Sequence, residues 1–267
     1  MRILKIHPEI DNPDRFNYNI NFGVWDAIEG DKDGIESFSS NLNDYDVIFL
    51  PQIKRWSKHL KLFSEIKQHK IKSVLFDNDS CYRSFKDDIY KGIDYIFYKD
   101  LDRNKEKPIV KSSLLRWSID TEKYKPVYGG SGISFNCNLG DYPLRKSIKG
   151  FLKHTKYKGQ KYITNLQCSA GAIHTDSPRV KAVRAKILEF AACGTHIISN
   201  RTSRMDLYFP DDLIIYFEDV KHLKQLLKSF KPDISIQKRL RDITVEKHDD
   251  RVRAKEVIEI LNIVFVK

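Results

Sequence analysis

The chain has 267 residues, 41% of them apolar and 31% charged, which excludes wholesale disorder and allows one large domain or two small ones, two being the expected count. Lys and Arg number 47 against 36 Asp and Glu, a positive field suited to a polyanion or a phosphate-bearing ligand, although a Lys-rich chain can equally reflect codon usage. The cysteines Cys81, Cys137, Cys168 and Cys193 form no CxxC pair, so neither a zinc site nor a disulfide framework is expected. No signal-peptide core or long apolar run occurs, so the expectation is a cytoplasmic protein without membrane insertion.

Along the first half, the short β-rich runs "RILKI", "DVIFL", "KSVLF" and "DYIFY" alternate with helical or turn-like segments, the pattern of a parallel sheet built from βα units. Between them, Trp56, Leu60, Phe63 and Ile66 share one helix face and Lys54, Lys58 and Lys61 the opposite one. Residues 54–72 hold seven Lys or Arg against one acidic residue, Glu65. With Trp25 nearby in sequence, Lys54, Arg55, Lys58 and Lys61 are candidates for contact with a phosphate backbone, and a solvated helix face is the competing reading.

"DTEKYKPVYGGSG", residues 120–132, reads as a linker between domains. The alternation then restarts. "ISFNCNL", "AGAIHT", "THIIS" and "DLIIYF" are expected strands; "DYPLRKSIKGFL", "SPRVKAVRAKILEFAAC" and "DVKHLKQLLKSF" are expected helices. Ser177 and Pro178 provide a start for the central helix and Gly194 a stop. The fold class is therefore α/β, two Rossmann-like, doubly wound domains facing a cleft, with ligands beyond the carboxyl ends of the strands.

In the central helix, Ile187, Leu188, Ala191 and Ala192 form the apolar face and Glu189 is expected to point away from its densest part. A carboxylate there could accept hydrogen bonds from vicinal ribose hydroxyls while Arg184 and Lys186 hold phosphates; the alternative is a solvated helix with a Lys186–Glu189 pair. Asp77 and Asp79 of "DND" stand at a strand end, where they are a metal-and-diphosphate signature, a base, or simple turn residues. His7 and His174, each at the end of an expected strand, are further candidates for the chemistry or for structural hydrogen bonds.

"RAKILEFAACGTHIIS", "YFPDDLIIYFEDVKHLKQLL" and "HDDRVRAKEVIEIL" together resemble the C-terminal domain of glycosyltransferases with the two-Rossmann GT-B architecture, in particular the CgeB-like, spore-maturation-type group. Lys186, Glu189, Ala192, Cys193, Gly194 and Thr195 match the donor-helix pattern, and His248, Arg253 and Ala254 match the start of the last helix. "FDNDS", "GIDYIFY" and "SIDTEKYKP" carry the likeness into the first half. The resemblance implies an acceptor-binding domain over 1–125, a nucleotide-sugar-binding domain over 126–250, and a terminal segment 251–267 able to cross back. It implies that Glu189 binds the donor's ribose and that Arg145, Arg184 and Lys186 hold its diphosphate, with Gly194, Thr195 and His174 around the donor and no metal or other cofactor. His7, Asp77 and Asp79 are the candidate catalytic groups. Related retaining enzymes often carry a second, upstream Glu; here that position is Lys181, with Asp176 the nearest carboxylate, so retention or inversion stays open.

The expected activity is sugar transfer from a nucleotide-diphosphate sugar, UDP by frequency among such enzymes, to an acceptor hydroxyl. Hydroxymethylated bases of phage DNA lead among acceptors. A surface polysaccharide, a glycolipid, a spore-coat protein, or a non-catalytic nucleotide- or polyanion-binding module are the alternatives.

Overall fold

The computed structural model describes residues 1–7, 21–34, 41–51, 60–77, 90, 92–99, 110–136, 142–175, 183, 185–201 and 204–266. The chain divides into two compact units, Met1–Arg116 with Arg253–Lys267, and Trp117–Val252. Each is an α/β unit around a parallel sheet.

The first unit contains strands β1 (Ile3–His7), β2 (Asp31–Gly34), β3 (Val47–Pro51), β4 (Lys72–Asp77), β5 (Tyr95–Tyr98) and β6 (Lys111–Leu114), and helices α1 (Asn21–Ala27) and α2 (Leu60–Gln68). Its sheet order is β2-β1-β3-β4-β5-β6, every pair parallel. Period-two alternation divides the side chains between two cores. Leu4, Ile6, Ile48, Leu50, Leu75 and Ile96 meet Leu62 and Ile66 of α2 on one side. Ile3, Val47, Phe49, Val74, Phe76 and Phe97 meet Val24 and Trp25 of α1 on the other. That second core is completed by Ala254, Val257 and Leu261 of the C-terminal helix, so the end of the chain belongs to the first unit.

Two strands carry none of the apolar alternation read from sequence. β2 is the tetrapeptide Asp31–Gly34 on the sheet edge, and β6 is Lys111–Leu114 on the other edge. An edge strand needs backbone pairing on one side only and can be polar. Lys5 points into the apolar face of β1, where its ammonium donates to the carbonyls of Trp25 and Ile28 at 3.0 and 2.6 Å. A cation at the C-terminal end of α1 is thereby satisfied in the core, although burial lowers its pKa.

The second unit contains β7 (Ile133–Ser134), β8 (Gly171–His174), β9 (His196–Asn200) and β10 (Ile214–Phe217), with helices α3 (Pro143–Lys149), α4 (Gly159–Gln167), α5 (Lys186–Ala192), α6 (Val220–Ser229) and α7 (Ile234–His248). Helix α8 (Asp250–Phe265) then returns the chain to the first unit. The sheet order β10-β9-β8-β7 is again wholly parallel. Phe135, Ile148, Ile173, Ile198, Phe217 and Leu223 form the core on one side. Helix α5 packs against β8, β9 and α7.

The segment 120–132, expected as a linker, is part of the second unit, and the division falls at Arg116/Trp117 instead of 125/126. Arg241 of α7 donates to the carbonyls of Thr121 and Tyr124, Gln167 to that of Lys125, and the Val127 amide to the Cys193 carbonyl. A Cβ at Gly130 would stand 2.8 Å from the backbone of Cys168 and Ser169. This glycine serves close contact rather than slack.

Candidate functional site

The carboxyl ends of β7 and β8 bring together residues far apart in the chain. Arg145, in the first turn of α3, lies with its guanidinium 4.6 Å above the Tyr142 ring and donates to the Tyr142 hydroxyl at 3.3 Å. It also donates to Thr175, just past β8, through the hydroxyl at 3.3 Å and the carbonyl at 3.4 Å. Pro143 starts α3 at a position where no amide is missed, and the helix sets the cation beside the strand end. Across the same strand ends, the Lys186 ammonium donates to the carbonyl of Asn136 at 2.9 Å. Lys186 therefore spans from α5 to the residue after β7, rather than pairing with Glu189 along its own helix; its charge still favours ionisation of that carboxyl. The side-chain nitrogen of Asn136 donates to the Tyr157 carbonyl, while its side-chain oxygen, Oδ1, is buried with no hydrogen-bond partner among the described residues.

Glu189 is not directed outward from α5. Ile187 through Ala192 are all buried, and Glu189 is 6% exposed, because the helix is enclosed by strands, by α7 and by the 120–132 segment. Its two carboxylate oxygens accept from the phenols of Tyr162 at 2.5 Å and Tyr124 at 3.5 Å. Burial raises its pKa, against the opposing pull of the Tyr162 hydrogen bond and the Lys186 charge. Both phenols are pushed upward by burial and by the carboxylate, and burial pushes the Cys193 thiol up to about 12. A carboxylate has about four acceptor positions, so two phenol contacts leave capacity for further donors. Tyr162, Tyr124, Tyr142, Thr175 and Asn136 were not singled out in sequence; no local pattern marks residues that meet only through the fold.

The remaining candidates fall as follows. Gly194 ends α5 at φ +70°, and a Cβ there would stand 2.8 Å from the Tyr128 ring, so its part is structural. The Thr195 hydroxyl donates to the Leu166 carbonyl at the end of α4 and is buried. His174 closes β8 and is buried. His248 stacks on Tyr208 at 5.2 Å and hydrogen-bonds the Tyr208 carbonyl, and Arg253 pairs with Glu256, so these two motif residues hold the fold together. In the first unit, Asp77 ends β4, fully buried, and accepts the Tyr90 hydroxyl. His7 ends β1 and Lys61 lies in α2, with their side chains outside the described part. Asp79, Lys54, Arg55, Lys58, Arg184, and the Ser177–Pro178 start expected for the central helix, lie outside the described residues. Trp25 corrects the acceptor reading. It is 2% exposed and packs edge-on against Phe49 and Phe76 at 5.8 and 5.4 Å, leaving no ring face for a ligand.

Residues 117–259, more than half of the chain and including the whole of the second unit, match the model of a family described as glycosyl transferase-like. The chain belongs to that glycosyl transferase-like family. The match names the broad family and not the CgeB-like group. Solved glycosyltransferases share the fold along almost the whole length. One from Rickettsia africae has a TM-score of 0.64 at 9% identity over 98% of both chains. HepE of Anabaena, solved with UDP and glucose, has a TM-score of 0.64 at 9% identity over 98% of this chain and 99% of that one. The β-glucosyltransferase of phage T4 has a TM-score of 0.62 at 12% identity over 99% of each. The fold of this glycosyl transferase-like chain is thus GT-B. No curated protein sequence matches it significantly. Among the described residues, no helix is long and apolar enough to cross a membrane.

Proposed function

We propose that the chain transfers a sugar from a UDP-sugar to an acceptor hydroxyl, and that the acceptor is a hydroxymethylated base in DNA. The observation that carries the reading is the coincidence of the family match with the Arg145–Thr175–Lys186 group at the carboxyl ends of β7 and β8. In this reaction the acceptor oxygen bonds to the anomeric carbon as the carbon–phosphate oxygen bond breaks. The nucleoside diphosphate leaves with the bonding electrons, and the acceptor's proton passes to a general base. Negative charge grows on the departing diphosphate, and fixed cations placed beforehand lower the barrier without reorganising. The reading assigns that work to Arg145 and Lys186 and not to a metal, and the ribose to Glu189.

UDP is favoured because HepE was solved with UDP and glucose and a DNA-modifying β-glucosyltransferase of the same fold with uridine diphosphoglucose. That second enzyme and the formal net charge of +11 favour DNA as acceptor. The target base would have to be unstacked to reach the site. The test is incubation with a panel of nucleotide sugars, following release of nucleoside diphosphate, and then transfer of labelled sugar to hydroxymethylcytosine-containing DNA. Slow donor hydrolysis and labelled DNA are expected. Failure of every donor to be hydrolysed or transferred would overturn the enzymatic reading, and hydrolysis without labelled DNA at low salt would remove DNA as acceptor.

A further inference from the structure

The second unit carries a basic surface that the donor chemistry does not use. From Lys146 to Thr175 there are six Lys and no Asp or Glu. Lys146, Lys153, Lys156, Lys158 and Lys161 are all exposed. They lie on α3, on the 150–158 loop and on the first turn of α4. Tyr157, in the middle of the loop, is 42% exposed. Helix α6 continues the surface. Lys221, Lys224 and Lys228, three and four residues apart, share one face of it, the helix contains no carboxylate, and Lys224 sits 4.8 Å over the ring of Phe151.

The loop is fixed against the donor site. The Thr155 amide donates to the Phe135 carbonyl at 2.9 Å, and Asn136 pairs with Thr155 in a parallel bridge. The Asn136 side chain also donates to the Tyr157 carbonyl at 3.0 Å, and its backbone carbonyl accepts from the Lys186 ammonium. One residue thus joins the basic loop to a cation assigned to the donor diphosphate.

From this juxtaposition we infer that the 150–161 segment, extended by α6, is a docking surface for the phosphate backbone of DNA, which it presents beside the carboxyl end of β7. A row of like charges in one region raises the energy of the folded protein by self-repulsion, and a polyanion relieves it. Spaced, flexible ammonium groups suit backbone phosphates read without regard to sequence, and an exposed tyrosine among them can pack on a sugar or an unstacked base. The inference rests on the DNA-acceptor reading but assigns the contact to the second unit instead of residues 54–72.

The test uses the full chain, a mixed-sequence DNA duplex and a salt series, comparing the wild type with the triple variant Lys153→Gln, Lys156→Gln, Lys161→Gln. Each phosphate contact contributes about 0.9 to the slope of log affinity against log salt, so the triple variant should flatten that slope by about 2 to 3. The matching Lys→Arg triple should keep it, while UDP-sugar hydrolysis and thermal stability stay at wild-type values in both. An unchanged slope in the Gln variant, or no DNA binding by the wild type at low salt, overturns the proposal. So does wild-type binding to polyphosphate where DNA at the same salt is left unbound, which assigns the face to a different polyanion. A flattened slope in a chain that hydrolyses no nucleotide sugar leaves the docking surface standing while the transferase reading falls.

Discussion

Replacing Glu189 by Gln separates a ligand-binding role from a structural one. The carboxylate is buried against the phenols of Tyr162 and Tyr124, so Glu189→Ala would leave two buried hydroxyls unpaired and confuse stability with affinity. Gln keeps the volume and one acceptor. Its amide gives up the charge-assisted part of the hydrogen bonds, about 1.5–3 kcal/mol, but removes the cost of burying a charge, which is what raises the Glu189 pKa. The two largely cancel, and the folded state should change by less than about 1 kcal/mol. A ribose held by the carboxylate has no such compensation, because its hydroxyls lose charged acceptors; nucleotide affinity should fall by about 1.5–3 kcal/mol, roughly tenfold to hundredfold. Titration calorimetry with UDP, beside denaturant unfolding, reads both quantities. The companion Tyr162→Phe removes a donor that favours the ionised carboxyl. It should therefore cost more stability at pH 8 than near pH 4, where the raised pKa of Glu189 leaves more of it protonated in the folded state. Unchanged UDP affinity in Glu189→Gln would refute the ribose assignment, and a pH-independent cost in Tyr162→Phe would refute the account of the buried pair.

Arg145→Ala should lower kcat by about tenfold to a thousandfold, with a smaller effect on donor affinity, because the charge that it meets grows as the bond breaks; equal loss in both would reduce its role to uniform binding. Gly194→Ala should destabilise by about 2–3 kcal/mol, the sum of a left-handed backbone and a Cβ pressed 2.8 Å from the Tyr128 ring. Adding Tyr128→Ala should recover part of that loss in a denaturant midpoint, and no recovery would place the cost elsewhere. His196, edge-on to Phe230 at 5.4 Å, accepts the Asp233 amide through Nε2 at 2.8 Å. Burial lowers its pKa, while the nearby Asp233 carboxylate opposes this. The unfolded chain then binds the proton first, so stability is complete above about pH 6.5 and declines as pH falls below it. The urea midpoint of His196→Gln should lack that part of the decline, and parallel pH curves for the two proteins would refute it.

The strands with apolar alternation, from Ile3–His7 to Ile214–Phe217, were legible because burial on a parallel sheet imposes their pattern directly. Asp31–Gly34 and Lys111–Leu114 were not, since edge pairing is a property of the neighbour strand and leaves no mark on polar side chains. Glu189 was legible as a candidate through its local motif. Its surroundings were not: the phenols come from 27 and 65 residues away in sequence, and a periodicity argument that takes one helix alone cannot see that α5 is enclosed on every side. Trp25 was misread for the same reason, its ring on α1 being held by Phe49 and Phe76 from two strands. The glycines of 120–132 were read as freedom, whereas Gly130 marks a place where two backbones touch.

The aromatic face of the first sheet is finished by Ala254, Val257 and Leu261, and this sets an order of events at the ribosome. Residues 1–116 emerge first, yet the part of that face that α1 leaves uncovered waits until Arg253–Lys267 is made, while Trp117–Val252 has its whole unit in one uninterrupted stretch and can close beforehand. The half that is born first matures last. Premature termination ahead of Arg253 would accordingly leave a sound carboxyl-terminal half tethered to an unfinished, aggregation-prone amino-terminal one.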